Sequence, residues 1–144
     1  MRTSFPRGVI TSQTIGNIGL YYVCYRLSLY GWNVMPTARN AKGIDILAYS
    51  QSGTQRILIQ VKTLSQKNPV PMGNNLDNLM ADFVVVCVRA HPNEPDCFVL
   101  TPSEIQKLAH KGMKNEKTSY WLQPKSYFCE QFKDQWHRIG TGAR

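Results

Sequence analysis

The sequence predicts an α/β fold: a single domain over residues 1–144, with a central mixed β-sheet flanked by helices. Three observations carry that expectation. Apolar residues recur at helical spacing between Thr11 and Tyr30, strand-like segments dominate from Trp32 to Leu100, and helix-start chemistry returns at Thr101-Pro102-Ser103-Glu104. The chain has 144 residues, 42% hydrophobic and 18% charged, so it is long and apolar enough to bury a core.

Each element follows from local chemistry. Residues 1–10 form an irregular arm, broken by Pro6 and Gly8. Thr11 or Ser12 caps a helix that runs to about Tyr30. Ile15, Ile18, Tyr22, Leu27 and Leu29 form its apolar stripe, and Gly31 stops it. Gly16 and Gly19 weaken the helix by propensity, so a close approach of another backbone is expected there. Trp32–Met35 is a short strand ended by Pro36. Ile44–Tyr49 and Arg56–Lys62, joined by Gln51-Ser52-Gly53, form a hairpin. Residues 66–78 are a long loop. Asp82–Val88 is a central buried strand, and Cys97–Leu100 follows it. Thr101, Pro102 and Glu104 open a helix with a capping box, which ends before Gly112. Lys114–Thr118 is a charged turn and Tyr120–Leu122 an edge strand. Pro124–Trp136 is a final amphipathic helix with Phe128, Phe132 and Trp136 on one face.

Charge is distributed unevenly. Eight lysines and arginines stand against one carboxylate, Asp45, from Met1 to Leu76, which places +7 of the net +8 there. Nucleic acid is the commonest partner for such a field, ahead of an anionic membrane or an acidic protein. Arg7, Arg39, Lys42 and Lys67 are the candidate phosphate contacts, with a solvated basic surface as the plainer reading. The longest apolar run, Phe83–Val88, cannot span a bilayer, and no apolar segment precedes Pro6 to serve as a secretory signal. None of Cys24, Cys87, Cys97 and Cys129 forms a C-x-x-C pair, and a reduced, cytoplasmic protein is expected. His91, His110 and His137 lack metal-ligand spacing.

Strand alternation places Gln60 and Lys62 on one face and Ile57, Ile59 and Val61 on the other. Asp45 joins Gln60 and Lys62 if Ile44 and Ile46 share the isoleucine face. A divalent cation needs hard oxygen ligands. The Asp45 carboxylate, the Gln60 amide oxygen and the Val61 carbonyl could supply them. A structural ion pair between Asp45 and Lys62 is the competing reading.

Gly43-Ile44-Asp45-Ile46-Leu47-Ala48, a short turn, then Ile57-Leu58-Ile59-Gln60-Val61-Lys62-Thr63 resembles the PD-(D/E)xK nuclease superfamily, which has the restriction-endonuclease-like fold. The helix opening Gly16-Asn17-Ile18-Gly19 and the segment Gly31-Trp32-Asn33-Val34 are similar to its Holliday-junction-resolvase-like members. The resemblance covers about residues 12–138. It implies a metal-dependent endodeoxyribonuclease acting on double-stranded or branched DNA with Mg2+ or Mn2+. Asp45 would be a metal ligand, Gln60 the variant of the second acidic ligand, and Lys62 the catalytic lysine. Homodimers are a further implication. Members usually carry a glutamate four residues after the helix glycine, and that position is Leu20 here. Asp77 or Asp82 would have to replace it. Two alternatives remain: a catalytically inactive nucleic-acid-binding protein with the nuclease fold, and a partner-binding protein of a defence or mobile-element system.

Overall fold

The structure is a computed structural model that describes residues 10–38, 43–89 and 94–144. The first helix, α1 (Ser12–Leu29), is capped by Thr11, whose hydroxyl accepts from the Thr14 N–H at 3.2 Å. A five-stranded sheet follows, ordered β1-β2-β3-β5-β6, from β1 (Asn33–Pro36), β2 (Ile46–Tyr49), β3 (Arg56–Leu64), β5 (Phe83–Val88) and β6 (Asp96–Leu100). Only β3 and β5 pair in parallel; the other neighbours are antiparallel. The sheet is therefore mixed, as expected.

A parallel pair needs a crossover, and the usual one is helical. Here residues 65–82 cross over through a short strand, β4 (Val70–Gly73), and a 3-10 turn at Leu76–Asn78. The expected long loop is thus partly ordered. β4 joins β8 (Lys117–Leu122) and β7 (His110–Lys114) in a second, three-stranded antiparallel sheet ordered β4-β8-β7. The helix α2 (Pro102–Leu108) has the full capping box at Thr101 and Glu104. It stops at Ala109, whose extended backbone leads into β7, a strand where the sequence suggested the end of the helix and the start of the turn. Asn115 and Glu116 both have positive φ, 53° and 62°, which makes the charged turn a tight hairpin between β7 and β8.

The final long helix is the main correction. The helix α3 spans only Pro124–Tyr127, and a 3-10 turn covers Trp136–Arg138. Between them the chain pairs with the free edge of β6. Val99 N–H donates to Phe132 O, Asp134 N–H donates to Cys97 O, and Phe98 bridges Lys133. A sheet edge offers unpaired donors and acceptors in a row, and satisfying them outweighs continuing a helix. The aromatic residues still reach the core: Phe132 and Trp136 are buried and Phe128 is half-buried.

The five-stranded sheet has a core on each face. Ile46, Ile59, Val85 and Cys87 pack with Val23 and Leu27 of α1 and with Trp136. Val84, Val86 and Val88 pack on the opposite face with Val70, Leu122, Ile105 and Tyr127. Cys24, Cys87 and Cys97 are buried free thiols, as their apolar surroundings suggested. No described helix is long and apolar enough to cross a membrane.

Gly19, rather than Gly16, is the close approach. A Cβ at Gly19 would overlap the Thr63 side chain, whereas one at Gly16 meets nothing within 4 Å. Gly19→Ala is expected to push α1 off β3 and destabilise the protein by about 1–3 kcal/mol. Chemical denaturation of Gly19→Ala, Thr63→Ala and the double variant checks this. The two changes should couple, with Thr63→Ala recovering part of the loss.

Candidate functional site

β2 begins at Ile46, so Asp45 precedes the strand rather than lying inside it. The backbone is irregular at this point. Ile46 pairs with Ile59, yet Asp45 N–H also donates to Ile59 O at 2.9 Å. The ladder therefore ends one step early, and Val61 N–H loses its strand partner. The Asp45 carboxylate replaces it: Val61 N–H donates to Asp45 Oδ2 at 2.7 Å. Thr37 holds the other side of the turn, its N–H donating to Asp45 O at 2.9 Å and its hydroxyl to Ile44 O at 2.7 Å. Asp45 Oδ1 has no hydrogen-bond partner among the described residues.

The geometry of β3 adds a second oxygen. Leu58 bonds toward β5, through its N–H to Asp82 Oδ2 at 2.8 Å and its O from Asp82 N–H at 2.7 Å. Strand peptides alternate sides, so Ile59 and Val61 present both backbone groups toward β2. Val61 C=O consequently faces the gap past the end of β2, beside the Asp45 carboxylate.

Gln60 and Lys62 lie across from Val84 and Val86 in the parallel pairing, on the face opposite Ile59. Ile46 shares the face of Ile57, Ile59 and Val61. Asp45, however, lies outside β2 at the irregularity, so strand alternation does not extend to it. The cleft it lines is on the α1 face, with Val61 and Thr63 rather than with Gln60 and Lys62. Lys62 is half-buried. Burial pushes its ammonium below the usual lysine pKa, and the Asp45 charge opposes that shift only in part. Asp45 and Lys62 are thus electrostatic neighbours.

A cleft of about 210 Å3 opens beside Asp45, lined by Gly16, Asn17 and Leu20 of α1 and by Val61 and Thr63 of β3. Leu20, the position where a glutamate was expected, therefore faces the same space as Asp45. Its side chain packs against the α1-side core and supplies no oxygen. Neither acid considered as a replacement joins this cleft. Asp82 is committed to the Leu58 N–H, and Asp77 is exposed in the first turn of the 3-10 segment. Among the described residues no three His, Cys, Asp or Glu side chains cluster as a metal site.

The remaining candidates are scattered. Lys67 lies beyond the end of β3, its ammonium 4.3 Å from the centre of the Phe128 ring. Arg7, Arg39, Lys42 and His91 lie outside the described residues. His110 and His137 are exposed. Sequence reasoning missed the Val61 N–H as the group that orients Asp45. It also missed Thr63, whose buried hydroxyl has no hydrogen-bond partner and lines the cleft. Alternation along β3 was the available signal for Thr63.

No protein-family model matches this chain, and no curated protein matches it. Among solved structures it is similar to the bacterial homing endonuclease I-Ssp6803I. The TM-score is 0.59 at 18% identity, over 90% of this chain and 91% of that one. The chain has a nuclease-like mixed α/β fold, shared almost end to end with that enzyme.

Proposed function

We propose that this protein is a metal-dependent endonuclease that hydrolyses phosphodiester bonds in DNA. The carrying observation is the end of β2, where Asp45 and Val61 line one cleft, near Lys62, whose pKa burial lowers. The structural likeness to a homing endonuclease supports the same reading. So does the net charge of +8.

The donors suit a hard cation: the Asp45 carboxylate and the Val61 carbonyl at the cleft, with the Gln60 amide proposed to reach them from the other face of β3. Magnesium is commonly held by one or two carboxylates plus substrate phosphates, so one carboxylate is sufficient once DNA is bound. Bound there, Mg2+ or Mn2+ would polarise the scissile phosphate and lower the pKa of an attacking water. The Val61 N–H holds Asp45 in place and leaves Oδ1 for this role. Lys62 positions the water and offsets charge developing on the phosphate. Arg7, Arg39, Lys42 and Lys67 are proposed to contact the DNA backbone.

Supercoiled, branched and single-stranded DNA incubated with Mg2+ or Mn2+ test this reading. Cutting that stops on chelation supports it. Leu20 favours the second reading, a non-catalytic DNA-binding protein. Salt-sensitive binding without cutting in either metal would establish that instead.

Leu20→Glu tests the geometry of the cleft. A second carboxylate beside Asp45 should tighten Mn2+ binding at least about tenfold, at some cost in stability from lost apolar packing. Calorimetric titration with Mn2+ measures it. Unchanged affinity would mean that Leu20 does not face the cation.

A further inference from the structure

From residue 77 onward the net charge is only +1, and the structure shows why that total misleads. Three of the basic groups lie against two carboxylates. Arg89 and Lys133 flank Asp96 at 4.0 and 3.9 Å, and Arg138 grips Glu104 at 2.9 Å. The other lysines concentrate between residues 107 and 125, where five stand against a single acid, Glu116. Among the described residues none of the five is ion-paired.

The second sheet arranges them. Leu122 is buried, so Trp121 projects from the opposite, outer face of β8. Pairing of His110 with Trp121 and of Lys114 with Lys117 places all four on that face. Trp121 is 38% exposed, large for a tryptophan, and its indole N–H donates to Ser119 Oγ at 3.0 Å. Like charges directly opposite each other destabilise a hairpin, so the Lys114–Lys117 pair costs the free protein stability. The strip continues at the base of the hairpin. Two adjoining clefts, of about 500 and 580 Å3, share Leu108, Lys125 and Ser126; His110 lines one and Lys107 the other.

We propose that the outer face of the β7–β8 hairpin, continued by Lys107 and Lys125, is a second DNA-contact surface that tracks the phosphate backbone of a duplex. The inference rests on the DNA-binding reading above but uses none of the residues around Asp45. A two-stranded ribbon fits a DNA groove. Unpaired lysines supply phosphate contacts, and Trp121 supplies an apolar contact with the sugar-phosphate edge. The plainer account is that lysines on an edge hairpin prevent sheet-to-sheet association.

The test is fluorescence anisotropy of a labelled DNA duplex across a salt series, without divalent metal so that nothing is cut. The variants are Lys114→Ala/Lys117→Ala and Trp121→Ala. For the lysine pair the slope of log K against log salt should become shallower by about 2, with binding at about 50 mM salt weakened tenfold or more. Thermal stability should be unchanged or slightly raised. Trp121→Ala should weaken binding with little change in slope. An unchanged slope in the lysine variant, with the wild type binding normally, overturns the hairpin surface alone. So does a variant that self-associates yet binds as before, or preference of the wild type for an RNA duplex. Failure of the wild type to bind any duplex overturns the DNA-binding reading itself.

Discussion

Lys62→Met should make the protein more stable and sharply reduce cleavage. The lowered proton affinity of Lys62 means that the fold disfavours its charged form, even with Asp45 nearby. Burial dominates, and methionine of similar length removes the buried charge. The expected gain is on the order of 1 kcal/mol at neutral pH, a size common when a functional residue is replaced by one that suits its surroundings. The sign with pH follows. The folded pKa lies below 10.5, so the penalty is full where Lys62 is charged in both states. It fades as pH rises through the folded pKa toward 10.5. The advantage of Lys62→Met in urea denaturation should therefore shrink at alkaline pH. Cleavage should fall at least about 100-fold, the usual loss for a group that stabilises transition-state charge. A variant less stable than wild type would instead identify Lys62 as half of a structural ion pair.

Asp45 should separate in the opposite way, through the choice of replacement. Asp45→Ala removes the acceptor of the Val61 N–H, and an orphaned backbone donor costs about 1–3 kcal/mol. Asp45→Asn keeps an oxygen for that bond and removes only the charge. Thermal melts should show Asp45→Ala clearly destabilised and Asp45→Asn close to wild type. Both should lose cleavage by about 100- to 10,000-fold, the several kcal/mol that a bound cation supplies. Asp45→Asn is the informative variant, because a loss of activity in it cannot be ascribed to the β2–β3 junction coming apart.

Much of this was visible in the residues. The hairpin of β2 and β3, the buried β5, the capping box of α2 and the shared face of Gln60 and Lys62 all rest on local pattern. The parts that were not visible depend on partners far away in sequence. Pro124–Trp136 has aromatic residues at helical spacing, yet the free edge of β6 draws Phe132, Lys133 and Asp134 into bridging contact. β4 is ordered by β8, some fifty residues later, which nothing in Val70–Gly73 announces. The turn of Asp45 toward Val61 N–H arises from a ladder irregularity, a feature of pairing rather than of composition. The basic hairpin was hidden by summing charge over half the chain, since Asp96 and Glu104 lie against basic residues elsewhere.

Nicking of supercoiled plasmid under single-turnover conditions decides whether Asp45 lies at the centre of a DNA-cleaving site. The wild type should nick with Mg2+ or Mn2+ and not with a chelator, and an Asp45→Asn protein whose melting curve matches the wild type should not nick. Nicking that survives Asp45→Asn, or a wild type that binds the plasmid but leaves it intact in both metals, would contradict that role.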